Sequence, residues 1–506
     1  MSIPVFIYGI SGATWRVMDP LLAAGRLPHF ASLLREGCRA DLLSVLVPGD
    51  KHYRPQVAWA SLATGCNPER HGITRFYHSA DDLQVPSLWQ LFERAGRTVG
   101  IYGWPLDWPP PATRGFVIPS HLARDTRTWP PHLYFIKALD REQQDAERNG
   151  RRTGASERAR TVARLFRSGL RAQTLLDMAA LIGRSRLSTN IEARTLLLRR
   201  AKLTLSTDLF LGLCERYRPD LRCFHTFYVD FVSHRFWRYH EPERFSAQSG
   251  GRFRTAVTDA YVHADRALGC ILKSLPENAL VAVLSEHGMQ AELQSAEVGE
   301  WRYVIDPRRL SELIGLEKQI FGAPVARWIA YLPRVHGMPL VDAAARLRRI
   351  QVLQTGLPLF QVHEHGTGEV IVKFNIERAV PRYREGRLDE LTVTFDDTRV
   401  PFSAITRRLG AARSAMHDER GILILRGPGV PRGVHLPEVR AIDVAPTLLN
   451  LAQVPLHAEM DGTALDWSGG HRAPVGPAVS VQMAEQRMSA SYGSGRERSS
   501  AADRRP

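Results

Sequence analysis

Residues 5–12 read Val5-Phe6-Ile7-Tyr8-Gly9-Ile10-Ser11-Gly12, a short apolar run that ends in a small polar turn. A run of this length with β-branched and aromatic residues is a buried strand, and Gly12 supplies the sharp exit. Amphipathic helical text follows, so strand, turn and helix open an α/β fold. Four more runs repeat the strand signal: Thr98-Val99-Gly100-Ile101-Tyr102-Gly103-Trp104, Leu221-Arg222-Cys223-Phe224-His225-Thr226-Phe227-Tyr228, Ala279-Leu280-Val281-Ala282-Val283-Leu284, and Gly421-Ile422-Leu423-Ile424-Leu425. Helical stretches separate them, which predicts a doubly wound, mostly parallel sheet with helices on both faces.

Two segments interrupt this rhythm. Between Arg141 and Lys202 there are 15 Lys+Arg against 6 Asp+Glu, with Leu and Ala between the arginines. That text predicts a basic helical insertion over residues 135–205, between a first core part (1–134) and a second (206–299). Residues 300–415 mix helical and β-like text, such as Gly368-Glu369-Val370-Ile371-Val372-Lys373-Phe374, and read as a smaller α+β cap. The last core part is 416–468. From 469 to 506 the composition turns to Ser, Gly, Arg and Ala, the signature of a disordered tail.

The whole chain of 506 residues carries a net charge of +15. That charge invites a nucleic-acid reading, but no zinc finger, RNA-binding signature or aromatic-interleaved basic run accompanies it, so no specific nucleic-acid partner is expected. No apolar run is long enough for a transmembrane segment. The N-terminus has no basic region or cleavage site of a secretory signal. Five scattered cysteines form no CxxC pair, which fits reduced thiols and a cytoplasmic location.

Chemistry concentrates at the predicted strand ends. Asp230 follows the third run and His234 stands four residues on, so a helical turn puts both on one face, able to share an ion. Glu286-His287 follows the fourth run, and His417 precedes the last. Ligands in doubly wound sheets collect outside the carboxyl ends of strands. Two histidine–carboxylate pairs and a lone histidine there make a plausible metal centre.

With these segments in order, the chain resembles the type I phosphodiesterase/nucleotide pyrophosphatase family of the alkaline phosphatase superfamily. The resemblance rests on Gly12-Ala13-Thr14-Trp15, on Ala58-Trp59-Ala60-Ser61 with Thr64-Gly65, Asn67-Pro68 and His71-Gly72-Ile73, and on Asp230, His234 and Phe236-Trp237. It continues through His287-Gly288, His417, Gly427-Pro428-Gly429, and Asp443-Val444-Ala445-Pro446-Thr447-Leu448 with Met460-Asp461-Gly462. It implies an alkaline-phosphatase-like fold, a two-metal site, usually zinc, and a Thr or Ser nucleophile that attacks phosphorus. One metal would take Asp230, His234 and His417. The other would take an Asp at the end of the first strand, the nucleophile oxygen and an Asp–His pair.

The second half departs from that pattern. Ser11 stands where the first-strand Asp belongs, Glu286-His287 replaces Asp–His, and the nucleophile position falls on Pro55, which has no hydroxyl. Losing the nucleophile blocks the covalent route, and Asp to Ser removes a strong ligand. The expectation is one tight divalent ion, most simply zinc, at Asp230, His234 and His417. Water would be activated directly, with Glu286 or His52 as general base, or with Ser11 as a displaced nucleophile. The functional expectation is a metal-dependent hydrolase, or related transferase, acting on small phosphorylated substrates. The alternative is a catalytically impaired member that binds a metal or phosphorylated ligand without turnover.

Overall fold

The run at residues 5–10 is a central strand, buried on both faces along its whole length. The computed structural model of the chain describes residues 3–49, 53–75, 78–140, 155–245, 251–292, 303–315, 329–332, 339–365, 369–375, 390–408 and 414–467. Among these residues nine strands form the main sheet: β1 (Val5–Ile10), β2 (Cys38–Leu43), β3 (Val99–Tyr102), β4 (Phe116–Ile118), β5 (Leu221–Thr226), β6 (Leu280–Leu284), β7 (Arg420–Arg426), β8 (Val434–His435) and β9 (Val439–Arg440). Their order is β8-β2-β7-β6-β1-β5-β3-β4, with β9 also on β2.

β1 pairs in parallel with β5 and β6, and β3 pairs in parallel with β5 and β4. β7 alone among the nine runs against its neighbours, antiparallel to both β2 and β6. The sheet is therefore mostly parallel. The reversal has a positional effect: the chain enters β7 at the edge where β1, β5 and β6 leave.

Five helices flank the strand ends and the basic segment: α1 (Pro55–Thr64), α2 (Ala172–Leu187), α3 (Ile191–Tyr217), α4 (Tyr228–His240) and α5 (Ala256–Leu272). Pro55 starts α1, a place where its missing N–H removes no helical hydrogen bond. Asn190 caps α3 by accepting from the N–H groups of Glu192 and Ala193 at 2.9 and 3.0 Å. One face of the sheet packs through aromatics, with Tyr8 stacked on Phe224 at 5.8 Å between centroids and Phe224 tilted against Phe210 of α3 at 5.1 Å.

Within the basic segment Ala155–Arg167, α2 and α3 are helical. Helix α3 passes unbroken through residue 205, and Leu209, Phe210 and Leu213 in its second half are buried. Residues 141–154 lie outside the described residues, as does the segment from 469 onward. Beyond residue 300, Phe360–His365, Glu369–Phe374 and Ile329–Leu332 form a small antiparallel sheet. A second joins Gln351–Val352, Thr392–Phe395 and Thr398–Pro401. These elements share an apolar cluster of their own, including Leu347, Phe360, Val372 and Phe402. No helix among the described residues is long and apolar enough to cross a membrane.

A partly buried ionic group joins α3 to the core. Asp140 bridges Lys137 and Lys202 at 3.0 Å each, and Lys137 also donates to the Ser120 carbonyl at 2.7 Å. Nearby, burial pushes the Asp107 carboxyl from its ordinary 3.8 up to about 8, against the pull of the Ser120 N–H and the Lys137 charge. Between those values the folded chain holds a proton that the unfolded chain releases, so stability falls as pH rises, by about 1 kcal/mol per pH unit at most. Asp107→Asn is isosteric with the protonated acid. It is expected to gain melting temperature over wild type progressively from pH 4 to 8 and no further above, as read by thermal melts across that range.

Candidate metal centre

The registers bring the strand ends level. Gly9 of β1 sits opposite His225 on one side and Leu284 on the other, so Ser11, the β5–α4 turn and Ser285-Glu286 emerge at one edge. Ser11 N–H donates to the Thr226 carbonyl at 3.2 Å, and Ala13 N–H to Ser285 Oγ at 3.0 Å. Gly12 has a φ of +78°, and a Cβ there would stand 2.9 Å from Asp230 Cα. Only glycine lets the β1 turn come this close to the first turn of α4.

Helix α4 puts Asp230 and His234 one turn apart, in keeping with their spacing in the sequence. His417 arrives on a short ladder in which Ala415–Asp418 pairs antiparallel with Gly288–Ala291, just before β7. Asp230 Oδ1 then faces His234 Nε2 at 3.3 Å, His417 Nε2 at 3.4 Å and His287 Nε2 at 4.0 Å. Asp230, His287 and His417 offer ligand atoms that all lie within 4.8 Å of one another. His287 also stacks on His417, with centroids 3.7 Å apart. It thus stands against Asp230 and His417 as well as Glu286, whereas the family pattern places it in the second half alone.

Each imidazole Nδ1 meets a backbone carbonyl: Ala415 for His234 at 2.7 Å, Tyr53 for His417 at 3.1 Å and Gly288 for His287 at 3.0 Å. Donation from Nδ1–H leaves Nε2 of His234 and His417 with its lone pair turned inward, the tautomer of a metal ligand. His234 and His417 Nε2 are only 3.0 Å apart. Two lone pairs at that distance repel unless a cation or a proton lies between them. Burial, then the charges of His287 and His234, hold the His417 imidazole down to about 3, which disfavours the proton. Burial alone would raise the Asp230 carboxyl, but His234 and His417 hold it well below the usual range. Asp230 Oδ1 and His287 Nε2 are buried and make no hydrogen bond among the described residues.

Ligands about 2.0–2.1 Å from a tetrahedral zinc lie about 3.4 Å from each other. The Asp230–His234, Asp230–His417 and His234–His417 separations are 3.3, 3.4 and 3.0 Å. These residues fit a divalent metal.

The other half of the site is bound up within the protein. Ser11 Oγ lies 2.8 Å from Glu286 Oε1 and 3.0 Å from His225 Nε2, and it accepts from Trp59 Nε1 at 3.3 Å. His225 Nδ1 meets the Gly103 carbonyl at 2.9 Å, so Nδ1 carries the ring hydrogen and Nε2 competes with Glu286 Oε1 for the one Ser11 hydroxyl hydrogen. Glu286 Oε1 also approaches His287 Nε2 at 3.2 Å. Burial opposes a charge on His287, but the adjacent Glu286 carboxylate outweighs it and the pKa is raised. Ser11, Glu286 and His287 are fully buried. Gly9 makes the network possible, because a Cβ there would come 2.6 Å from His225 Cδ2 and 2.9 Å from Trp59 Cη2. Glu286 Oε2 has no hydrogen-bond partner among the described residues.

Pro55 opens α1 beside the Tyr53 carbonyl that holds His417, so the expected nucleophile position adjoins the centre without a hydroxyl. His52 lies outside the described residues. Two participants, His225 and Trp59, are not among the candidate site residues read from the sequence, although Trp59 stands in one of the motifs that carry the resemblance. The available signal for His225 is an imidazole at an inward position near the end of an apolar strand, opposite a glycine. No curated protein matches the chain. A model of the family described as type I phosphodiesterase / nucleotide pyrophosphatase matches residues 5–314. That span covers more than half of the chain and contains β1, α1, Asp230, His234 and Glu286-His287, so the chain belongs to the type I phosphodiesterase/nucleotide pyrophosphatase family of the alkaline phosphatase superfamily.

Proposed function

We propose that the protein is a metal-dependent phosphoester hydrolase with one tightly held divalent ion, zinc by the character of its donors, at Asp230, His234 and His417. The observation that carries this reading is Asp230 Oδ1, buried without a hydrogen bond and faced by imidazole Nε2 atoms at 3.3 and 3.4 Å. One carboxylate and two imidazoles leave an open position on zinc. When bound, such an ion supplies positive charge to phosphoryl oxygens and to the attacking or leaving oxygen. The backbone carbonyls behind His234 and His417 fix the rings for that task.

The attacking group in this reading is water. Pro55 offers no hydroxyl, and Ser11 Oγ is buried among Glu286, His225 and Trp59. Glu286, whose Oε2 lacks a hydrogen-bond partner among the described residues, accepts the proton of that water. A second reading draws on the same two positions: with no usable hydroxyl, the site binds a phosphorylated ligand without turning it over.

A screen with aryl phosphodiesters and phosphomonoesters, with zinc or manganese added, separates these readings. Turnover that falls by about 100-fold or more in His234→Ala is the expected result. Saturable binding with no turnover supports the second reading. Neither turnover nor binding would overturn both.

A further inference from the structure

The arginine surplus of the basic segment has no part in the metal centre, yet some of it lines a cavity of about 300 Å³ between α2, α3 and α5. Arg171, Arg200 and Arg266 contribute to its wall, with His263 beside them and Leu203 and Leu211 among its apolar residues. Arg171 is matched: its Nε lies 2.8 Å from Asp208 Oδ1, and its backbone N–H donates to Oδ2 at 2.7 Å. Arg200 and Arg266 are not. Among the described residues neither guanidinium has an ion pair or a hydrogen bond, although Arg200 is half-buried. Asp177 also borders the cavity but is exposed and takes a hydrogen bond from Gln173 at 3.0 Å, so the wall remains net positive.

His263 adds a donor. Its Nδ1 lies 3.1 Å from the Tyr228 hydroxyl, and with that hydroxyl donating, Nε2 carries the hydrogen. Burial, then the Arg200 charge, push the His263 imidazole down to about 4, so it is neutral at ordinary pH. Two guanidinium groups lining the cavity, both close enough for their charges to act on the His263 imidazole, form with its N–H a donor set for a tetrahedral oxyanion. Leu203 and Leu211 give the same cavity an apolar surface, and its volume is at the lower end for small-molecule sites.

We propose that this cavity binds a small organic phosphate, with the phosphate group held by Arg200, Arg266 and His263 and its apolar part against Leu203 and Leu211. The site shares no residue with the metal centre and stands whether or not that centre turns substrate over. Such a ligand has the chemistry of a phosphomonoester, the class of product that phosphodiester hydrolysis releases.

Cys270 provides a local reporter. It lines the cavity and is exposed, while Cys38, Cys66, Cys214 and Cys223 are buried. The full-length protein is labelled with N-ethylmaleimide, an uncharged reagent that the arginines do not attract, and Cys270 modification is timed by peptide mass spectrometry. By mass action, phenyl phosphate near saturation is expected to slow the labelling by about fivefold or more. The Arg200→Gln/Arg266→Gln double variant should lose this protection, and His417→Ala should keep it. Unchanged labelling in wild type, protection that persists in the double variant, or protection lost in His417→Ala would each overturn the proposal. Equal protection by inorganic phosphate at the same concentration would overturn the role of the apolar wall. The assay needs no turnover, so an inactive metal centre leaves its outcome intact.

Discussion

Elemental analysis of protein purified without chelator is expected to return about one divalent ion per chain, and Asp230→Ala is expected to return almost none. Asp230 supplies the negative charge at the centre of the cluster, with the Nε2 atoms of His234, His417 and His287 turned toward it at 3.3, 3.4 and 4.0 Å. Without it, neutral imidazoles alone must hold a dication. Removing even an outer partner of a metal ligand typically costs 10–100-fold in affinity, so losing this ligand should cost at least about 100-fold. His417→Ala should lower occupancy in the same direction. Glu286→Ala should not, because Glu286 Oε1 is engaged by Ser11 at 2.8 Å and His287 at 3.2 Å. A second cation about 4 Å away would need further carboxylate to offset the repulsion, and Ser11 supplies none. Two tightly bound ions in wild type, or occupancy that survives Asp230→Ala, would refute the single-ion assignment.

Ser11→Asp should be the most damaging single substitution in metal-free protein, and the one most responsive to zinc. Ser11 is fully buried with its Oγ 2.8 Å from the Glu286 carboxylate, so the new side chain sets two carboxylates against each other out of water. Leaving an uncompensated charge in such a place typically costs about 3–5 kcal/mol. Either a shared proton or a cation relieves it. Denaturant melts in the presence of chelator should therefore show a large loss at pH 8 and a smaller one at pH 5. Zinc should restore stability to the variant while adding little to the same half of wild type. A Ser11→Asp protein as stable as wild type at pH 8 with chelator present would mean that this half is open to solvent or to ions.

The strand at residues 5–10 can be read from its text because a strand inside the sheet is apolar on both faces, and β3, β6 and β7 are legible for the same reason, as is β5 apart from Arg222 and Thr226. Their order is not, because an apolar run carries no information about its neighbours. The reversal of β7 illustrates the difference: Gly421-Ile422-Leu423-Ile424-Leu425 looks the same in either direction. At the site, the Asp230–His234 pairing follows from helical periodicity alone. The approach of His417 to it depends on the ladder with Gly288–Ala291, a long-range pairing with no local signal. His225 and Trp59 escape notice because one imidazole or indole in an apolar run looks like core, and only the register opposite Gly9 gives them a shared polar partner. Helix α3 blurs the boundary at residue 205 because its leucines continue the same helical text on both sides.

The placement of β7 also bears on how the chain is made. His234 and His417 are 183 positions apart, so a ribosome adding about 5–20 residues per second delivers the second roughly ten to forty seconds after the first. Throughout that interval Asp230 lacks one of its imidazoles, and once β6 (Leu280–Leu284) has been made it lacks the partner that covers one of its edges. A strand left open in this way is a template for pairing with other chains. Synthesis therefore passes through an aggregation-sensitive window for β6 that closes when residues 415–426 emerge, an act that joins β6 to β2 through β7 and completes the ion-binding cluster together.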